Sequence, residues 1–220
     1  MKHLKATTFL IAAALAAPLA AQEAGGRLDI VVQPEPPSLM LGLVQNGPTQ
    51  LVAGDIYEGL LQYDTNLDPK PLLAESWEIS EDGTEITFTM ADGHVFASGN
   101  PVTAKDAEFS LRRAVILNKT PPFILTQFGF TPENVEETIV ATDDKTLVIK
   151  LDQKYAVSFV LNCLTATIGG IVDMATVMEH ETDGDMGAEW LRTNTAGSGP
   201  YKVVDWKPNE AGLMGLNPNF

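Results

Sequence analysis

The sequence predicts a mixed α/β fold, and three observations carry that reading. Two segments, Trp77–Met90 and Thr138–Leu151, set apolar residues on alternate positions either side of a short polar turn, the pattern of a β-hairpin. Between them, Ala107, Leu111, Ala114 and Val115 fall on one stripe at helical spacing. Strands and helices then intermix along the chain without the regular βαβ alternation of a doubly wound sheet.

Taken in order, the first 21 residues are of a different kind from the rest. Lys2, His3 and Lys5 form a short basic start, Thr7–Ala17 an apolar run, and Ala16–Ala21 supplies small residues, the layout of a secretory signal peptide rather than a membrane span. Cleavage is expected after Ala21 or Ala20, and no Cys follows the apolar run to take a lipid. Arg27–Gln33 then predicts a buried strand, because it is short and β-branched and is stopped by Pro34, Pro36 and Pro37.

Apolar residues at 51, 52, 56, 60 and 61 predict a helix from about Thr49 to Leu61, and "DTNLDPKP" breaks the chain. Strands Trp77–Ser80 and Glu85–Met90 follow, joined by "EDG". Pro101 directs the chain into a helix over about Thr103–Leu117, with Thr103 at the N-cap and Asp106 three residues on, the spacing of a capping box. Asp143-Asp144-Lys145 turn the second hairpin, and Val148 is placed opposite Ile139 and Val140. Helices are expected over Val157–Leu164, Val172–Glu181 and Met186–Thr193. The Gly-rich "AGSGP" then leads into a strand Tyr201–Trp206, a "KPNE" turn and a last strand ending at Leu216.

Composition excludes several functions. The chain carries 29 acidic and 14 basic residues, a net charge of −15, and −17 once residues 1–21 are removed with Lys2 and Lys5, leaving 12 basic residues. A surface so acidic repels phosphate backbones and anionic lipid, so nucleic acid and anionic membranes are poor partners. Cys163 is the only cysteine, so no disulfide forms within the chain, and its apolar neighbours predict a buried, inert thiol. Stability must come from burial, for which the 45% hydrophobic content suffices.

Catalytic and metal motifs are missing: there is no G-x-S-x-G, S-x-x-K, H-E-x-x-H, Walker loop or G-x-G-x-x-G. His94 reads as a turn residue. His180, among Glu179, Glu181, Asp183 and Asp185, reads as a solvated helix end, since the spacing matches no calcium loop. The pairs Glu136/Glu137 and Asp143/Asp144 flank exposed hairpin strands, unlike the enclosed carboxylates of acid–base catalysis. Asn118-Lys119-Thr120 fits a glycosylation sequon and reads as the polar end of the capped helix.

Three stretches, in order and spacing, resemble the N-terminal portion of the periplasmic solute-binding proteins of peptide/nickel-type ABC importers, the oligopeptide- and dipeptide-binding family 5. They are "IYEGLLQYDTNLDPKPLLAESWEISEDGTEITFTM", "VFASGNPVTAKDAEFSLRRAV" and "GSGPYKVVDWKPNEAGLMGLNPNF". The second is similar to the family's F-x-x-G-x-P-V-T-A-x-D-x-x-F-S-x-x-R signature at Phe96, Gly99, Pro101, Val102, Thr103, Ala104, Asp106, Phe109, Ser110 and Arg113. The chain departs from the family at Ala97-Ser98, where a His-Asp pair is frequent, and at Met40, where an Asp often follows Pro-x-Leu.

The resemblance implies a type II periplasmic-binding-protein-like clamshell that closes on a peptide or small-molecule solute and presents it to an ABC permease in the inner membrane. It implies no covalent chemistry, cofactor or metal, and a monomer in the periplasm. Family chains are well over twice this length, so these 220 residues are expected to be an N-terminal fragment holding only the first lobe. Residues 22–63 and 193–220 would form a discontinuous first-lobe domain and 64–192 a smaller α+β domain inserted in it. Ligand-binding candidates on that wall are Gln33 and Glu35, whose backbone and carboxylate would meet an extended ligand and its amine, and Phe128 as an aromatic wall. The competing functions are an exported hydrolase, for which no nucleophile and base are found, and a sensory or interaction module on the same fold.

Overall fold

The structure, a computed structural model, describes residues 28–29, 47–119, 122–207 and 210–220. The chain divides into two compact units, Met1–Val31 and Val32–Phe220. Of the first, only Leu28 and Asp29 are described, both exposed and outside regular structure, so the strand expected over Arg27–Gln33 lies otherwise outside the described residues, as does the expected signal segment. All regular elements among the described residues belong to the second unit.

The centre of that unit is a four-stranded antiparallel sheet of β3 (Ala74–Ile79), β4 (Glu85–Met90), β5 (Ile139–Ala141) and β6 (Thr146–Lys150), in the order β3-β4-β6-β5. Both expected hairpins are present, with Ile79 opposite Ile86 and Val140 opposite Val148. The turn between β3 and β4 is fixed by Asp82, whose Oδ1 accepts from Ser80 Oγ at 2.7 Å and from the Thr84 amide and hydroxyl, while Gly83 takes φ 75°. The period-2 pattern places Ile86, Phe88 and Met90 of β4 inside, beside Leu147 and Ile149 of β6.

Helix α2 (Ala104–Leu117) packs on β5 and β6 through Ala107, Leu111 and Val115, the stripe its sequence spaced at helical period. It starts where expected: the Asp106 carboxylate reaches back to accept from the Thr103 amide at 3.0 Å and hydroxyl at 2.7 Å. Asn118 ends it in the left-handed conformation, φ 46°. Burying each large core side chain, Phe88, Phe96 and Leu111 among them, contributes about 1.5–3 kcal/mol. A second apolar cluster joins Ala53 and Ile56 of α1 (Gly47–Ile56) and the following Tyr57 to Val172, Val177, Leu191 and Ala196, and the half-buried Phe109 and Leu117 of α2 pack against it. Helix α2 thus serves both clusters.

Three expected helices are shorter than their patterns suggest. Helix α1 ends at Ile56 rather than Leu61, because the backbone beyond Tyr57 is taken by pairing: Ile171 donates to the Glu58 carbonyl and Leu73 to that of Gly59. Leu61–Tyr63 then forms β1, antiparallel to β2 (Pro69–Pro71), and Leu60 and Leu61 are buried without being helical. After the short helices α3 (Phe123–Thr126) and α4 (Val135–Thr138), α5 spans Val157–Leu164 as expected. Helix α6 covers only Met174–Met178, since Asp173 leaves the helix to cap it. Over 186–193 only the 3-10 turn Trp190–Arg192 forms, because Met186 and Gly187 hold φ 50° and 69°. The chain closes with the two-stranded ribbon β7 (Tyr201–Lys207) and β8 (Ala211–Leu216), Tyr201 opposite Leu216.

Candidate functional site

The turn Ala97–Pro101 and the start of α2 carry the densest polar chemistry; the turn is exposed at residues 98–101, and its polar groups converge on a buried carboxylate. Asp173 is 1% exposed. Its Oδ2 accepts from Ser98 Oγ at 2.6 Å, from Asn100 Nδ2 at 2.9 Å and from the Thr176 hydroxyl, and its Oδ1 from the Thr176 amide. Beside it, Asp106 Oδ1 accepts from the Met174 amide at 3.0 Å, and Ser110 Oγ accepts from the Val172 amide while donating to the Asp106 carbonyl. Two buried carboxylates so placed are perturbed in opposite directions. For Asp173, burial pushes the carboxyl up, but the hydrogen bonds from Ser98, Thr176 and Asn100 outweigh it and hold the group below its ordinary value. For Asp106, burial dominates and raises it, with the neighbouring charge of Asp173 adding to the rise.

This network is a clasp, and the backbone extends it. Ala97 donates to the Gly197 carbonyl, Asp173 to that of Ala196, and Asn219 Nδ2 to that of Phe96 at 2.9 Å. Gly197 and Gly199 pack on the end of α1, Gly199 donating to the Ile56 carbonyl at 2.9 Å; a Cβ at Gly197 would lie 2.0 Å from that oxygen. Closeness of approach is therefore what the "GSGP" glycines supply. Arg113, 4% exposed, donates through Nε to the Met186 carbonyl, and burial lowers its pKa while pushing that of the Tyr57 hydroxyl up.

Among the described residues, an open groove of about 420 Å³ lies on a different set of residues. The end of α1, the segment through β1, the loop Thr165–Gly170, Pro200 and Phe220 line it. Gly54 leaves open space at its wall, Tyr63 and Phe220 are exposed, and Tyr63 Oη donates to the Asn162 carbonyl. Glu58 is the one charged residue among those lining it, its side chain 10% exposed. The volume falls in the size range of small-ligand pockets, and the backbone is bare at Gly54.

Of the expected ligand contacts, Gln33 and Glu35 lie outside the described residues, as does Met40. Phe128 does not form a wall. Its ring is 1% exposed and edge-packed by Tyr155 at 5.1 Å and Phe159 at 5.4 Å, so it belongs to the core. The exposed aromatics nearby are Phe123 and Phe159 instead. Cys163 is half-buried rather than enclosed; burial raises its pKa against a contact from Gln127 Nε2 at 3.5 Å. His94 faces Glu58 across 3.7 Å, and His180 stacks on Trp190 with ring centroids 4.3 Å apart. Sequence reasoning missed the groove because its lining is gathered from five separate segments of the chain.

The family described as bacterial extracellular solute-binding proteins, family 5, middle, matches residues 68–220. The chain belongs to this family. Among relatives of this family-5 chain, the probable D,D-dipeptide-binding periplasmic protein DdpA of Escherichia coli is 32% identical over 169 residues, 74% of this chain and 30% of the relative. The substrate-binding domain of an oligopeptide ABC transporter from Bacillus anthracis superposes with a TM-score of 0.70 at 23% identity, covering 84% of this chain and 36% of that one. Haemophilus influenzae OppA, solved with the peptide RPPGFSPFR, superposes at 0.68 with 26% identity, covering 84% and 37%. The mixed α/β fold is thus that of periplasmic binding proteins, and the chain spans about a third of the length of the relatives it matches. These relatives are named as binding proteins and not as enzymes.

Proposed function

We propose that this family-5 chain supplies the first-lobe wall of an extracytoplasmic solute-binding component of an ABC importer, one that binds peptides or peptide-like small solutes and delivers them to a membrane permease. The observation that carries the reading is the family match over residues 68–220, set beside relatives whose names specify dipeptide and oligopeptide ligands. Residues 1–21 would be the export signal, placing the mature protein in the periplasm as a monomer. Residues 22–63 and 193–220 would share one discontinuous domain, with 64–192 inserted; the close packing of Gly197 and Gly199 on Asp55 and Ile56 supports the join. Gln33 would pair its backbone with an extended peptide and Glu35 would receive its amine.

The test is ligand-dependent stabilisation of the full chain by a library of di- to pentapeptides. A ligand at 100 times its Kd stabilises the folded state by about 2.7 kcal/mol, which a melting experiment reads directly. Binding by at least one peptide without turnover is expected; a library that stabilises nothing, or is hydrolysed, overturns the proposal.

A further inference from the structure

The chain has three Asp-Gly steps, and the structure treats one of them differently from the other two. At such a step the side-chain carboxyl and the next amide nitrogen can meet with no Cβ in the way. At Asp82-Gly83 the carboxylate is held by the Ser80 hydroxyl and by the Thr84 amide and hydroxyl, and the stem of Lys154 lies over the glycine. At Asp92-Gly93 the carboxylate is paired with the Lys145 ammonium. Asp183 has no hydrogen bond or ion pair at its carboxyl among the described residues, both it and Gly184 are exposed, and open space surrounds Gly184. The two are the central residues of a turn closed by the Asp185 amide, which donates to the Thr182 carbonyl at 3.0 Å, and they hold φ 53° and 80°. The Gly184 amide donates to Glu181 Oε1, so a carboxylate stands on the nitrogen that would attack.

We infer that Asp183-Gly184 is a self-modification site, at which Asp183 converts to isoaspartate through a succinimide, with Glu181 as the base. Glu181 takes the Gly184 amide proton as that nitrogen attacks Cγ of the neutral Asp183 carboxyl, and returns it to the departing hydroxyl. A C–N bond forms, a C–O bond breaks, and one water leaves. Water then opens the ring: addition at Cγ restores Asp183, whereas addition at the main-chain carbonyl releases it from the Gly184 nitrogen and routes the backbone through Cβ and Cγ. Nothing is oxidised or reduced, and the only co-reactant is water. The product carries one extra backbone carbon inside a turn whose ends are fixed, since Asp185 Oδ1 accepts from the Thr182 amide at 3.0 Å and Arg113 Nε donates to the Met186 carbonyl at 2.8 Å.

The test is to hold the full folded chain at neutral pH for several weeks, digest it, and distinguish isoaspartate from aspartate at each step by electron-transfer fragmentation mass spectrometry. Residue 183 should convert at least about tenfold faster than residues 82 and 92, and faster than it does in urea, where the three should run within about threefold of one another. Glu181→Gln, with its melting temperature unchanged, should slow residue 183 by about tenfold. Conversion at 82 or 92 as fast as at 183, or at 183 no faster folded than in urea, overturns the site. A wild-type rate in Glu181→Gln overturns the role of Glu181. Should Glu181→Gln loosen the turn, Asp183→Asn decides: it closes the same ring with loss of ammonia, read as a gain in mass. Its folded rate must exceed its rate in urea, and a folded rate at or below that one refutes the inference.

Discussion

Asp173→Ala is the sharpest probe of the clasp. The side chain accepts from three donors at Oδ2 (Ser98, Asn100 and the Thr176 hydroxyl), and from the Thr176 amide at Oδ1 as the N-cap of α6. Hydrogen bonds to a charged group contribute about 1.5–3 kcal/mol each and an N-cap about 1 kcal/mol, but one carboxylate shared among four donors is not their sum. Losing the cap and one charge-assisted bond, with the remaining neutral donors free to turn to water, sets the expected loss at about 2.5–4 kcal/mol. With a urea m-value of about 2 kcal/mol/M, the midpoint should fall by about 1–2 M. Asp173→Asn should lose less, about 1–3 kcal/mol, yet cannot be neutral: whichever way the amide is turned, its NH₂ faces a donor. Asp173 is also held below its ordinary value of 3.8, so its contribution is present above pH 4 and lost as pH falls through the lower folded value. The acid limb of the stability curve should therefore flatten in Asp173→Asn. An Asp173→Ala midpoint within about 0.5 M of wild type would refute the clasp.

Phe128→Ala should cost about 3–5 kcal/mol in the same denaturation assay, as a core aromatic does; a variant of unchanged stability but altered ligand affinity would restore Phe128 to a binding wall. Gly197→Ala, whose Cβ would sit 2.0 Å from the Ile56 carbonyl oxygen, should destabilise strongly enough to lower the melting temperature by many degrees. Gly54→Ala, in the interior of α1 with open space around it, should instead stabilise by about 0.5–1 kcal/mol. The Asp82 carboxyl should titrate at about 2 by carbon-detected NMR, held down by the Ser80 hydroxyl and by the Thr84 amide and hydroxyl; a midpoint near 3.8 would mean the turn does not form in solution.

What was legible in the sequence was what is local. The two hairpins, the capped helix and α5 each announce themselves through residues a few positions apart: Ile86, Phe88 and Met90 at period two, Ala107, Leu111 and Val115 at helical period, Asp106 three residues after Thr103. The errors fell where distant backbone competes with local pattern. Leu60 and Leu61 have helical spacing from Ile56, yet the chain there pairs with residues 72–74 and 171, and burial is satisfied either way. Periodicity reports that a residue will be buried, not which backbone will bury it. Phe128 shows the same limit for a site: a loop aromatic is equally suited to a ligand and to a core, and only the arrival of Tyr155 and Phe159 from α5 and its approach decides between them.

The signature that identifies the family informs least about the solute, and the structure gives the reason. Phe96, Asp106, Ser110 and Arg113 are all buried, and their polar groups bind the chain to itself: Asp106 and Ser110 hold the backbone at Val172 and Met174, and Arg113 holds Met186. Even the departure at Ser98 is absorbed by the clasp, since its hydroxyl donates to Asp173. A motif spent on closing the scaffold constrains every binder built on it alike, whatever its ligand. Discrimination among solutes must therefore reside in residues outside this signature, where a side chain can change without breaking the bonds that close the scaffold.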